Sequence, residues 1–129
     1  MKKIKLTGFI KNKEIREAIV KYDLDGMLNE ETNEIRYIEE DDLKTEVRIL
    51  KKDNITELTR ENKEILITFY FEENKNTIGV YHLKEENINL DMNIYCDEII
   101  YNDKKIKIVY YLEINEENMG SFTLELNYK

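Results

Sequence analysis

The chain has 129 residues, of which 41% are hydrophobic, 10% aromatic and 37% charged. That length suits one domain, here taken as residues 1–129, and the apolar share lifts it out of the disordered class. A formal net charge of −8 repels phosphate backbones, and the basic runs at 2–5 and 104–107 are too short to reverse that field, so no nucleic-acid partner is expected.

Alternation of apolar and polar residues with period two, punctuated by turn formers, predicts strands in chain order. They fall at 3–11, 14–24, 26–30, 34–39, 45–52, 55–60, 64–71, 77–84, 87–96, 105–114 and 120–128. A helical turn is the alternative for 14–27, because Ile15, Ala18, Ile19 and Tyr22 sit at helical spacing. Asp25-Gly26 reads as a turn or bulge within that stretch. The connections at 31–33, 53–54, 72–76, 85–86, 102–103 and 115–119 are short and polar, which joins antiparallel neighbours into a meander.

Apolar faces meet across successive hairpins. Around 72–76, Ile65 is expected opposite Leu83, Ile67 opposite Tyr81, and Phe69 over Gly79. The next turn places Leu83 against Ile88, Tyr81 against Leu90 and Gly79 against Met92. The last hairpin is expected to pair Leu112 with Phe122, Tyr110 with Leu124 and Ile108 with Leu126. One apolar face that stays in phase over so many strands predicts an all-β fold. The expected form is a closed or nearly closed antiparallel up-and-down β-barrel of about eight to ten strands.

Cys96 is the single cysteine and the opening residues lack an apolar stretch of secretory length, so a cytoplasmic protein is expected. No window approaches the ~20 apolar residues of a membrane helix, and no membrane partner is expected.

Few residues carry chemistry. His82 and Cys96 are the only residues of the types a thiol–imidazole pair needs, but register places His82 opposite Asn89, about 23 Å along the strand from Cys96. His82 should face water and Cys96 the core. In 21–26, Asp23, Asp25 and Gly26 occupy calcium-loop positions, but Lys21 and Thr32 stand where ligands are required. The run Glu39-Glu40-Asp41-Asp42 reads as a solvated hairpin loop. No metal, cofactor or catalytic constellation is expected, and the protein is read as not an enzyme.

Arg60 is the most informative residue. A two-residue turn at Asp53-Asn54 puts Lys52 against Ile55, hence Ile49 against Leu58 and Val47 against Arg60, on the inner face. An inward arginine needs a partner, and Glu39 and the Tyr37 hydroxyl are the nearest candidates. Two roles stand side by side: an ion pair plugging one barrel end, or a ligand anchor. Tyr37, Tyr81 and Tyr110 also alternate inward, where tyrosines line cavities or fill barrels. The candidate ligand-binding set is therefore Arg60, Tyr37, Glu39, Tyr81 and Tyr110.

The order of features resembles the YwiB-like family of uncharacterised small bacterial proteins, which has a calycin (lipocalin-type) β-barrel. The resemblance spans nearly the whole chain. It rests on Gly26 opening a hairpin, Tyr37-Ile38-Glu39-Glu40, Leu58-Thr59-Arg60, and Phe69, Thr77 and Tyr81. It continues through the strand Ile106-Lys107-Ile108-Val109-Tyr110-Tyr111-Leu112 and the ending from Gly120 to Tyr128. Asn62 stands where the family has a glycine, and asparagine can still adopt the left-handed conformation. Glu85-Glu86 replaces a glycine-bearing turn. The resemblance implies a closed barrel and transfers no function.

Two functions follow as expectations. One is non-enzymatic binding of a small apolar or amphipathic ligand inside the barrel. The other is a protein-interaction module with a side-chain-filled interior. A dry interior with no pocket near ~300 Å³ would favour the second.

Overall fold

Every strand in this chain is too short to bury its apolar face alone, and the closed ring is how each one finds two neighbours. The computed structural model describes residues 1–14 and 18–129. Among these residues ten strands occur: β1 (Lys2–Asn12), β2 (Ala18–Asn29), β3 (Glu34–Ile38), β4 (Glu46–Lys52), β5 (Ile55–Glu61), β6 (Ile65–Glu72), β7 (Lys75–Leu83), β8 (Ile88–Asn102), β9 (Lys105–Ile114) and β10 (Glu117–Tyr128). They pair in sequence order, all antiparallel, and β1 closes against β10 from Leu6↔Tyr128 to Asn12↔Phe122. Inward residues of all ten strands form one core, with Leu6, Ile49, Phe71, Met92, Ile94, Ile108, Leu124 and Leu126 among the most deeply buried.

Sequence signals set most of this register. The β4–β5 hairpin pairs Lys52↔Ile55, Ile49↔Leu58 and Val47↔Arg60, as the Asp53-Asn54 turn requires, with Asp53 left-handed at φ 47°. The β6–β7 ladder runs from Ile65↔Leu83 to Thr68↔Val80, and β7–β8 includes Leu83↔Ile88, Tyr81↔Leu90 and Gly79↔Met92.

Four expectations need correction. Asp25-Gly26 makes no turn: β2 runs straight through it, so the segments expected at 14–24 and 26–30 are one strand. Gly26 is there for space. It pairs with Ile4 and Tyr37, and the Leu6 side chain and Arg36 carbonyl fill the volume a Cβ would take. Gly26→Ala is therefore expected to lose ~1–3 kcal/mol in urea unfolding, by overpacking. The helical alternative for 14–27 is also set aside from Ala18 onward; Ile15 lies outside the described residues.

The last hairpin sits two residues from the expected register, with Phe122↔Tyr110, Leu124↔Ile108 and Leu126↔Ile106. Asn115 and Glu116 form a tight two-residue turn, both left-handed, and the ladder then shifts between Asn118 and Gly120, leaving Met119 as the extra residue. A shift of two keeps every side chain on its face.

Phe69 does not cover Gly79. Met92 and Ile94, from β8, fill that space, while Phe69 stacks on Phe71 at 5.6 Å between ring centroids. Asn62 does not use the left-handed conformation open to it. It acts through its side chain, whose Oδ1 accepts from the backbone N–H of Glu64 (2.8 Å) and Ile65 (3.0 Å). The left-handed asparagines are Asn33, Asn74, Asn87 and Asn115, each at a strand connection.

Candidate functional site

β5 sends Arg60 inward, and the loop after β3 brings a carboxylate to meet it. Glu39 closes that loop by donating its backbone N–H to the Thr45 carbonyl at 2.8 Å. Inside the loop the Asp41 carboxylate accepts from the Thr45 backbone N–H (3.0 Å) and hydroxyl (2.8 Å). Those bonds hold the Asp41 carboxyl below its ordinary range. The Asn62 side-chain amide donates to the same Thr45 hydroxyl at 2.9 Å and ties the loop to β5–β6. The run 39–42 is thus more than a solvated loop: Glu39 is buried and Asp41 caps the turn.

At this end Arg60 Nη2 donates to Glu39 Oε1 in a charge-assisted pair, and the Tyr22 hydroxyl donates to Glu39 Oε2 at 2.8 Å. Burial works to lower the Arg60 pKa, and the Glu39 hydrogen bond and charge more than offset it, so Arg60 is held above its ordinary value. Tyr22 was not among the expected site residues, yet it supplies the hydroxyl partner expected of Tyr37. The Tyr37 ring meets Tyr22 edge-on at 5.3 Å between centroids. Burial raises the Tyr37 pKa, and the neighbouring Tyr22 hydroxyl works against it. The Tyr37 hydroxyl and Arg60 Nε are the two buried side-chain polar atoms without a partner among the described residues.

Both residues line an interior cavity of about 170 Å³, walled by Val47, Leu58, Phe71, Tyr110 and Leu124 among others. Beyond Arg60 a depression of about 300 Å³ opens between β2 and the 39–41 loop. The two spaces share Val20, Tyr22 and Arg60, so the ion pair stands at the neck between mouth and interior.

A family model described as "Domain of unknown function (DUF1934)" matches residues 4–126 of the chain. The chain belongs to the DUF1934 family. The crystal structure of the ywiB protein from Bacillus subtilis is similar, with a TM-score of 0.68 at 14% identity, over 98% of this chain and 89% of that one. At that identity the likeness shows the fold, and a closed barrel fits the calycin-type architecture that the resemblance implied. None of the curated proteins matches the chain.

Within this DUF1934 barrel three of the five expected residues, Arg60, Tyr37 and Tyr110, line the interior cavity, and Glu39 lines the depression at the mouth, paired with Arg60. Tyr81 points inward but pairs with Ile67 and Leu90, one strand further round, and packs against the core outside the cavity lining. His82 pairs with Asn89, where its Nδ1 meets Oδ1 at 2.8 Å, while Cys96 is fully buried beside Tyr110 and Lys75. Among the described residues no group of three or more His, Cys, Asp or Glu side chains is placed to hold a metal, and no helix is long and apolar enough to cross a membrane.

Burial pushes the Cys96 thiol up to about 11 from an ordinary 9.0, and pushes Tyr22, Tyr37 and Tyr110 far above 10.0. The sign follows from linkage. In this range the folded chain keeps protons that the unfolded chain releases, so ν for the unfolded state is the smaller. This contribution is fully present below pH 9 and is lost as pH rises through the folded values. Urea midpoints measured at pH 8, 9.5 and 10.5 should fall steadily, and iodoacetamide should leave Cys96 unmodified at pH 8 until urea is added.

A larger concavity of about 440 Å³ lies on the outer face of β2–β5. There Arg36 stands directly across from Arg48, and Glu46 directly across from Glu61, in adjacent rows. Like charges opposed in this way weaken a sheet. Exposed Met27 and Ile38 share the patch.

Proposed function

We propose that this protein is a non-enzymatic, cytoplasmic binding barrel whose ligand is small and amphipathic. Its apolar part sits in the interior cavity and its polar part at the neck beside Arg60. The observation that carries this reading is the cavity itself, walled by Val47, Leu58, Phe71, Tyr110 and Leu124 and sharing Val20, Tyr22 and Arg60 with the depression at the mouth. Protein interiors are close-packed with few voids larger than a water molecule, so a mainly apolar space of this size favours an occupant. Size limits it. A cavity of about 170 Å³ lies below the ~300 Å³ of a drug-sized pocket and near the ~150 Å³ that admits benzene. A thermal-shift screen of compounds with up to about ten heavy atoms tests the proposal, since a ligand that binds only the folded state raises Tm. Hits should stabilise the native chain and lose their effect in Leu58→Phe, which fills the cavity. A screen without hits, or hits unchanged in Leu58→Phe, counts against it.

A second reading, a protein-interaction module, is favoured by the opposed like charges on the outer face. A two-fold axis between the two rows would lay the Arg36–Arg48 pair of one copy on the Glu46–Glu61 pair of the other. Sedimentation over a range of concentrations tests it. A dimer abolished by Ile38→Glu supports this reading, and a monomer throughout rejects it.

A further inference from the structure

We infer that the occupant of the interior cavity is a single planar aromatic ring carrying at most a short substituent. This rests on the binding-barrel reading and names the ligand class for it. The composition, the arrangement and the volume of the cavity each favour a flat ring over an aliphatic guest.

Six of the residues that line the cavity are aromatic, Tyr22, Tyr37, Phe69, Phe71, Tyr110 and Phe122, in a chain that is 10% aromatic overall. They include three of its four phenylalanines. Elsewhere the deepest core is filled mostly by branched aliphatic side chains such as Leu6, Ile49, Ile94, Ile108 and Leu126. The concentration of rings is therefore a property of this wall and not of the barrel interior at large. An aromatic ring has a negative face and a positive edge, so it favours a guest with the same quadrupole and offers a saturated guest dispersion alone.

The six rings form two groups. Tyr22 on β2 and Tyr37 on β3 meet edge-on, with centroids 5.3 Å apart. Phe69 and Phe71 on β6, Tyr110 on β9 and Phe122 on β10 form a continuous set, with successive centroids 5.6, 4.9 and 5.5 Å apart. Around the barrel β1 separates the two groups on one side, and β4 and β5 separate them on the other. Those strands line the cavity with aliphatic Ile10, Val47 and Leu58. A guest in the cavity thus meets rings from two sides, in the stacked and edge-on contacts that the wall already makes with itself.

Volume sets the number of rings. About 170 Å³ is near the ~150 Å³ of a cavity that admits benzene, which leaves room for one ring and a short substituent. A saturated ring of the same carbon count is puckered and thicker, and an open chain gives up rotational freedom on entry.

Three neutral ketones with the same carbon and oxygen count separate ring character from the head group: acetophenone, cyclohexyl methyl ketone and 2-octanone. Their dissociation constants are measured by titration of the full chain. Acetophenone is expected to bind about tenfold tighter than either of the others. In Phe69→Leu and in Phe122→Leu that advantage should shrink, while binding of cyclohexyl methyl ketone holds. Equal affinity for the three ketones, or tighter binding of a saturated one, would overturn the aromatic inference and leave the binding-barrel reading standing. An advantage unchanged in both variants would also overturn it, because the rings of the wall would not be its source. Failure of all three to bind would overturn both.

Discussion

Arg60→Met is expected to destabilise the barrel by ~3 kcal/mol, and adding Glu39→Gln should return ~1–3 kcal/mol of that loss. The single change removes the cation from a carboxylate that is 5% exposed, leaving Tyr22 as its only side-chain partner among the described residues. A buried carboxylate stripped of its counter-ion is among the most costly defects a core can hold. The Arg60 side chain is 27% exposed, which places the effect toward the low end for a buried pair. Glu39→Gln removes the stranded charge and keeps an amide oxygen for Tyr22. The four urea-unfolding free energies of that cycle give the coupling directly. Coupling near zero would mean that the pair contributes nothing at the neck.

Phe71→Ala should cost about as much or more, ~3–5 kcal/mol, for a different reason. Phe71 is 1% exposed, stacks on Phe69 and tilts onto Tyr110 at 4.9 Å between centroids. Because it walls the interior cavity, truncation enlarges a void that already exists, and the surrounding strands are paired on both sides and collapse poorly. The loss should be partly recovered by ligand. A two-ring ketone such as 2-acetonaphthone, too large for the native cavity, is expected to raise the Tm of Phe71→Ala and not that of the native chain. An equal shift in both proteins would place its binding elsewhere.

How much of this was legible from the amino-acid order depends on what fixed each register. Arg60 was legible because a two-residue turn leaves one pairing, and Ile49 opposite Leu58 confirms the face locally. Glu39 followed from alternation with Ile35 and Tyr37 on β3. Tyr22 was hidden by Asp25-Gly26, which has the composition of a turn. Glycine there answers the Leu6 side chain in three dimensions, a contact that local sequence does not carry. Had Gly26 been placed opposite Tyr37, continuing the ladder would set Leu24 across from Glu39 and Tyr22 next along. The signal for Tyr22 was therefore its alternation with Val20 and Leu24 through an unbroken strand.

Elsewhere the limits are those of turn chemistry. Asn115-Glu116 closes tightly with both residues left-handed, though glutamate is a poor choice there and 115–119 reads as an open loop. The resulting slip of two residues preserved the core face, which is why the barrel was legible although that pairing was not. Asn62 shows the converse. Its position matched a family glycine, but its side chain, rather than its backbone freedom, does the work of closing the β5–β6 turn. Tyr81 faces inward as alternation requires, yet which part of a barrel interior stays open depends on neighbouring side-chain volumes, and alternation does not report those.

The most direct measurement of the central claim is a set of intermolecular nuclear Overhauser contacts between acetophenone and the methyl groups of the folded chain. Contacts are expected to Val47, Leu58 and Leu124, which wall the interior cavity, and none to the outward methyls of Ile38 and Ile78. Contacts confined to Ile38 and Met27 on the outer face, or no contacts at saturating ligand, would contradict it.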